Sequence, residues 1–290
     1  MKQLNLFIEL TRLRKPIGFM LLFWPCSWGL TLAYDFSNNL NNYFFFLILF
    51  FLGSVLMRSA GCIVNDISDK KLDQKVERTK NRPIASDKVS IRLAFFYTAI
   101  LCSLAFLVLI NFNKLTIIFA LGSMPLAFTY PLMKRYTYWP QLFLGITFNY
   151  GLILGWISIN NQFDIVPILF YLGAIFWTLG FDTIYGFQDI KDDEIIGIKS
   201  TSIKFKEKPK LFLLLCYLMF VSSLTMLGFF MNFSYLFYFC TIIVAVQLIF
   251  FQIYKLDFNN PKSCLKVFKS NNFLGLLVFF SLLVGKLSVS

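Results

Sequence analysis

Two sets of acidic side chains recur in this chain at helical spacing. The first is Asn65-Asp66-x-x-Asp69-x-x-x-Asp73, and the second is Asp182-x-x-Tyr185-x-x-x-Asp189-x-x-x-Asp193. At 100° per residue, offsets of 0, 3 and 7 put Asp66, Asp69 and Asp73 within about 60° on one helix face. Offsets of 0, 3, 7 and 11 put Asp182, Tyr185, Asp189 and Asp193 within about 80° on one face, with Asp192 and Glu194 beside them. Carboxylates stacked on one face repel one another. Solvated helix ends would explain a few scattered Asp, but two periodic rows call for a cation. The chain has no His and no C-x-x-C pair among its six Cys, so the available donors are oxygens. Oxygen-only sets favour Mg²⁺, which keeps waters and shares its shell with substrate phosphates. Lys70, Lys71, Arg78, Lys80 and Arg82 crowd the first row, and Lys134 and Arg135 lie between the two rows in sequence. Alone these are ordinary loop cations. Opposite carboxylates and Mg²⁺ they become diphosphate contacts, with Arg favoured for its bidentate fork.

The elements that must position these groups are membrane spans. The chain of 290 residues is 58% hydrophobic and only 14% charged, against about 25% charged in soluble domains. Apolar runs of about 20 residues indicate bilayer-spanning helices. They fall near 17–34, 43–64, 91–110, 115–131, 141–159, 165–185, 211–230, 233–253 and 272–288. The fourth is short, and a little-tilted or partly broken helix is expected there. Trp24-Pro25 interrupts the first run, which has no small-residue cleavage site, so it reads as a retained span and not a signal peptide.

The net charge of +12 does not point to nucleic acid, because the cations sit in short loops between apolar runs. Basic residues of the N-terminus and of loops 65–92, 133–138, 186–210 and 254–271 fall on one side. Lys114 and Lys286 fall on the other, and Arg58 lies within the second span. This bias sets the N-terminus and both acidic rows in the cytoplasm and the C-terminus outside. One transmembrane domain over 1–290 is expected, with cytoplasmic cap loops near 65–90 and 186–210. Those loops resemble each other, which fits either an internal duplication or convergence. The absence of His excludes Ser-His-Asp triads and His-ligated zinc or haem.

Arg58 shares a helix face with Asn65 and Asp69 and lies about 16 Å deeper than Asp69. An intramembrane Arg either bonds neighbouring helix carbonyls or serves a site. The expectation is that it faces a cavity and pairs with a substrate carboxylate or a metal-site Asp.

At this point the residues resemble a known family. Gly61-Cys62-Ile63-Val64-Asn65-Asp66-Ile67-Ser68-Asp69 through Asp73, with Arg78-Thr79 and Arg82-Pro83-Ile84, is similar to the first signature of the UbiA superfamily of intramembrane prenyltransferases. Tyr185 with its flanking Asp, followed by Gly197-Ile198-Lys199-Ser200-Thr201, resembles the second. Lys15-Pro16-Ile17-Gly18 with Trp24-Pro25, and Tyr130-Pro131-x-Met133-Lys134-Arg135-Tyr136-Thr137 with Pro140-Gln141, resemble the bacterial branch that acts on 4-hydroxybenzoate in ubiquinone biosynthesis. The likeness runs from about residue 12 to 205; beyond that only hydropathy matches. Arg14 stands where the family commonly has Asp.

The resemblance implies an all-α protein, a ring of nine transmembrane helices around a central cavity, in a bacterial inner membrane. It implies Mg²⁺ held by Asp66, Asp69, Asp73, Asp182, Asp189 and Asp193. Asn65, Arg78, Arg82, Lys134, Arg135 and Tyr185 would assist with the polyprenyl diphosphate, and Arg58 with the aromatic acid. The expected reaction is electrophilic substitution on the aromatic ring, with aromatic side chains facing the allylic cation. Other acceptors in the family are homogentisate, naphthoate, haem and chlorophyllide. A transporter would carry its ionisable groups along a pathway near the midplane, whereas here they concentrate at one face.

Overall fold

The computed structural model describes residues 2–288, and among these the regular structure is entirely helical. In chain order the helices are α1 (Lys2–Leu10), α2 (Ile17–Ala33), α3 (Leu40–Asp73), α4 (Ile91–Leu109), α5 (Lys114–Gly122), α6 (Met124–Thr129) and α7 (Pro140–Asn160). They continue with α8 (Ile165–Gly186), α9 (Ile190–Ile195), α10 (Thr201–Lys204), α11 (Pro209–Phe230), α12 (Tyr235–Val246) and α13 (Pro261–Leu287). A 3₁₀ turn, Tyr130–Arg135, extends α6, and a π-helical segment, Gln247–Tyr254, extends α12.

Eight helical segments are long and apolar enough to cross a bilayer, and α2 is the ninth apolar helix at 17 residues. It is densely enclosed over its C-terminal half, from Phe23 to Leu32. The fourth span is broken, as its length suggested: α5 ends at Gly122, and Pro125 and Pro131 start the next two turns. The second is longer than its apolar run. It continues as one 34-residue helix to Asp73, so the first acidic row stands on rigid helix.

Short polar caps punctuate the apolar runs. Asn39, Asn113 and Asp164 each accept a backbone N–H in the first turn of α3, α5 and α8. Asn161 closes α7 in the left-handed region, with φ 51°.

Two helix seams set the bundle. Helices α2 and α7 approach so closely that a Cβ on Gly29 would lie 2.0 Å from the Leu152 carbonyl oxygen. Glycine is what lets these backbones touch, as membrane helix interfaces require. On the other side, Trp24 Nε1 donates to Asn272 Oδ1 at 2.9 Å and Trp28 Nε1 to the Gly275 carbonyl at 3.1 Å, fixing α13 on α2. A large core runs through α2, α7, α8, α11, α12 and α13, and a smaller one joins Leu10, Ala60, Ile63, Ile84 and Ala94 beneath α1 and the 74–90 loop. Phe95, Phe96, Ile100, Leu104 and Leu107 of α4 are exposed apolar side chains, as a lipid-facing helix has.

Candidate active site

The first acidic row lies on one buried face of α3. Asp66, Asp69 and Asp73 are only 2%, 1% and 6% exposed. Buried carboxylates require partners, and the chain supplies cations to all three, with Arg82 shared by Asp66 and Asp73. Asp66 Oδ1 accepts from Arg12 Nη2 at 2.5 Å and from Arg82 Nη1 at 3.2 Å. Arg82 Nη1 also reaches Asp73 Oδ2 at 2.8 Å. Lys134 Nζ pairs with Asp69 Oδ2, while Arg135 Nη2 lies 3.9 Å from Asp69 Oδ1 and donates to the Ser68 carbonyl at 2.5 Å. The Asn65 side chain neighbours the Asp66 carboxylate. Asp69 Oδ1 is buried without a hydrogen-bond partner.

The 74–90 loop is folded to present its arginines. Thr79 Oγ1 donates to the Asp73 carbonyl at 3.0 Å, Gln74 Nε2 to the Ala85 carbonyl at 3.0 Å, and Ile84 and Val89 are buried in the smaller core. These contacts turn Arg82 back onto α3 and send Arg78 across to the second acidic set. Arg78 Nε lies 2.8 and 2.9 Å from the two carboxylate oxygens of Asp189, and Nη1 donates to Tyr185 Oη at 3.3 Å. Its guanidinium carbon stands 5.6 Å from the Tyr185 ring centroid. Burial works against the Arg78 charge, but the bond to Asp189 and the nearness of Tyr185 hold its pKa above the ordinary value.

The second set departs from the single helical face read from its spacing. Helix α8 stops at Gly186, and Asp189 stands at the start of α9. Two causes are visible. Phe187, Gln188 and Asp189 donate to the carbonyls three residues back, which overtightens the last turn. A Cβ on Gly186 would also lie 2.3 Å from Ser202 Oγ, so the incoming α10 takes the space a side chain would occupy. Asp182 and Tyr185 therefore sit on α8, and Asp189 and Asp193 on the turn beyond it. The Lys199 N–H donates to the Lys134 carbonyl at 2.9 Å, tying this turn to the 3₁₀ segment. Burial, then repulsion by Asp189, pushes the Asp193 carboxyl up to about 6, against the pull of Lys134 and Arg78.

Lys134 thus stands between Asp69 and Asp193, and Arg78 joins the first loop to Asp189: the two acidic sets border one cationic seam. Among the described residues no three carboxylate or thiol side chains are arranged to chelate an ion by themselves. The donor chemistry nonetheless fits Mg²⁺, with oxygen ligands throughout and one buried carboxylate oxygen, Asp69 Oδ1, unpartnered.

Beneath the seam lies an apolar cavity of about 320 Å³, walled by α2 to α7. Among the described residues Arg58 is its one charged lining residue. The guanidinium carbon is 5.5 Å from the Phe148 ring centroid, and Nε is buried without a partner. Gly18 makes room for it, since a Cβ there would lie 2.8 Å from Arg58 Nε. Tyr130 lines the same cavity and is in electrostatic reach of Arg58, Asp182 and Arg12, so it marks the junction of cavity and seam. Helix α4 leans on α3 and barely meets α5 or α6. The lining there runs out to Phe106 and Leu121, both exposed on the lipid-facing surface.

Arg12 is the site residue that spacing alone did not single out. It follows α1 in the left-handed region, φ 56°, and its Nη1 lies 3.6 Å from Cys62 Sγ. Burial works against its charge, but Asp66 holds the guanidinium well above its ordinary pKa. Its place before Lys15-Pro16 was the available signal.

An all-helical membrane bundle with paired acidic segments over an apolar cavity defines an intramembrane transferase acting on a charged, long-chain substrate. Residues 22–283 match the UbiA prenyltransferase family, and the chain belongs to it. It is 41% identical over 288 residues to the mitochondrial 4-hydroxybenzoate polyprenyltransferase of Bos taurus, covering 99% of this chain and 76% of that protein. It is 39% identical over 289 residues to 4-hydroxybenzoate geranyltransferase 2 of Lithospermum erythrorhizon, covering 99% and 92%. The fold matches a UbiA homolog from Aeropyrum pernix K1 with a TM-score of 0.76 at 22% identity, covering 92% of this chain and 97% of that one. A UbiA homolog from Archaeoglobus fulgidus, solved bound to GPP and Mg²⁺, matches with a TM-score of 0.67 at 16% identity, covering 96% and 99%.

Proposed function

We infer that this protein transfers a polyprenyl group from polyprenyl diphosphate to a ring carbon of 4-hydroxybenzoate and releases diphosphate, as a step of ubiquinone biosynthesis. The observation that carries this reading is the vertical order of the site. A seam of paired Asp and Arg/Lys lies directly over an apolar cavity whose only charge among the described residues is Arg58. The names of the relatives above support the acceptor assignment.

In this reading Asp66, Asp69, Asp73, Asp182, Asp189 and Asp193 hold Mg²⁺, which neutralises the diphosphate and stabilises it as a leaving group. Arg12, Arg78, Arg82, Lys134 and Arg135 grip the remaining phosphate oxygens, with Asn65 and Tyr185 as hydrogen-bonding neighbours. The prenyl chain lies in the cavity and passes between α4 and α5 into lipid. Arg58 binds the acceptor carboxylate and so fixes which ring carbon faces the chain. The allylic C–O bond breaks with its electron pair leaving on the diphosphate. The ring carbon beside the hydroxyl attacks the allylic cation, and the ring proton is then lost to restore aromaticity. A carboxylate, the released diphosphate or water takes that proton, since the chain has no His. Phe148 and Tyr130 offer π faces to the cation. The proposed setting is a bacterial inner membrane, with the seam on the cytoplasmic side and the C-terminus opposite.

Purified protein supplied with Mg²⁺, a polyprenyl diphosphate and either 4-hydroxybenzoate or homogentisate tests the assignment. Prenylated 4-hydroxybenzoate is expected; product from homogentisate alone would overturn it.

A further inference from the structure

The C-terminal bundle holds a closed network of polar side chains that the reaction does not use directly. Gln252 and Asn271 are fully buried. Gln252 Nε2 donates to Asn271 Oδ1 at 3.0 Å and to Gln247 Oε1 at 3.1 Å. Gln252 Oε1 accepts from Tyr217 Oη at 2.7 Å and from Asn271 Nδ2 at 3.2 Å. Trp177 Nε1 completes the set, donating to Asn271 Oδ1 at 2.8 Å. Every donor and acceptor of the Gln252–Asn271 pair is used, across α8, α11, the π-helical segment and α13. The π geometry is what permits it. On an α-helix residues five apart are about 140° apart, whereas i→i+5 winding brings Gln247 and Gln252 to one face.

This network stands one turn from the site. Asn271 follows Phe268 by three residues on α13, and the Phe268 ring packs 4.5 Å from the ring of Tyr185. Tyr185 in turn meets Arg78, which holds Asp189. We propose that the Gln252–Asn271 pair is a positioning device: it fixes the register of α13 so that Phe268 backs Tyr185 and thereby sets the Arg78–Asp189 contact in the diphosphate site. An apolar pair would fill the same space but lose these directional bonds to α8 and α11, leaving α13 held by hydrogen bonds on its α2 side through Trp24 and Trp28. The proposal rests on the diphosphate site described above and not on the identity of the acceptor.

The test titrates purified full-length protein with inorganic diphosphate in the presence of Mg²⁺, reading the dissociation constant by calorimetry and the acceptor KM by transfer assay. Asn271→Leu and Phe268→Leu should each weaken diphosphate binding about tenfold, the worth of one charge-assisted hydrogen bond. The KM for 4-hydroxybenzoate should stay within about twofold, because α3, which carries Arg58, has no packing seam with α13. In a Tyr185→Leu background Asn271→Leu should add nothing further. Phe268→Leu leaves every amide bond in place, so it decides the matter even if Asn271→Leu does not fold. Unchanged diphosphate affinity in Phe268→Leu would overturn the proposal. So would an Asn271→Leu protein that melts earlier but binds diphosphate like the wild type. Wild-type protein that binds diphosphate yet leaves 4-hydroxybenzoate unreacted would count against the acceptor assignment alone.

Discussion

Arg58 offers the sharpest perturbation of the proposed reaction. Replacing it with Leu removes the one charge among the described residues of the cavity wall and leaves a shorter, apolar side chain. A charge-assisted hydrogen bond to a carboxylate contributes about 1.5–3 kcal/mol, and about 1.4 kcal/mol is tenfold in affinity. The KM for 4-hydroxybenzoate should therefore rise about 10- to 150-fold, with the KM for polyprenyl diphosphate unmoved. Arg58→Lys keeps the charge and loses the fork, so its effect should fall at the lower end. Gly18→Ala acts on the same group from outside: its Cβ would sit 2.8 Å from Arg58 Nε, forcing the guanidinium aside. A side chain driven about 30° off its rotamer costs about 0.5–1.5 kcal/mol, or about two- to tenfold in KM. The assay is steady-state transfer to 4-hydroxybenzoate and to its uncharged amide. Wild-type enzyme should prefer the acid strongly, and Arg58→Leu should lose that preference. An Arg58→Leu enzyme that still discriminates acid from amide would refute the role given to Arg58.

Three further outcomes are expected. Asp66→Asn and Asp189→Asn should each abolish transfer while the protein still elutes as a folded monodisperse species on gel filtration, and chelation of divalent cations should silence the wild type until Mg²⁺ is restored. Arg12→Ala should raise the KM for polyprenyl diphosphate about tenfold, the worth of one charge-assisted contact, and leave that for the acceptor unchanged. The raised pKa of Asp193, about 6, means that a proton occupies this carboxylate below that value and competes with the cation. The Mg²⁺ concentration needed for half-maximal transfer should thus climb as pH falls from about 8 to about 5, and Asp193→Asn should flatten that climb.

Much of the site was legible in the sequence because α3 is regular. A helix that runs unbroken to Asp73 keeps its 3.6-residue period, so the spacing of Asp66, Asp69 and Asp73 translated directly into one face. The same arithmetic failed for Asp189 and Asp193 because what ends α8 is tertiary. Ser202, sixteen residues further on, occupies the space beside Gly186, and no periodicity reports that. The apolar helices and the broken fourth span followed from run length, while the part of Pro125 and Pro131 in the break shows only in the structure. Arg12 looked like one of several topology-setting cations, since its reach to Asp66 depends on a left-handed backbone that pattern alone does not announce. The C-terminal third read only as hydrophobic. Gln247 and Gln252 share a face through a π-helical winding that the sequence period does not encode, and Asn271 meets Gln252 from another helix.

The gap beside α4 has a practical consequence for anyone following this protein through a purification. If the prenyl tail takes the proposed route, past Phe106 and Leu121, it stays out of water, and the concentration that matters is then the mole fraction of substrate in the surrounding amphiphile. Adding micelles at constant substrate dilutes the reactant without changing its molarity. Rates measured in different detergents become comparable only once expressed on that surface scale.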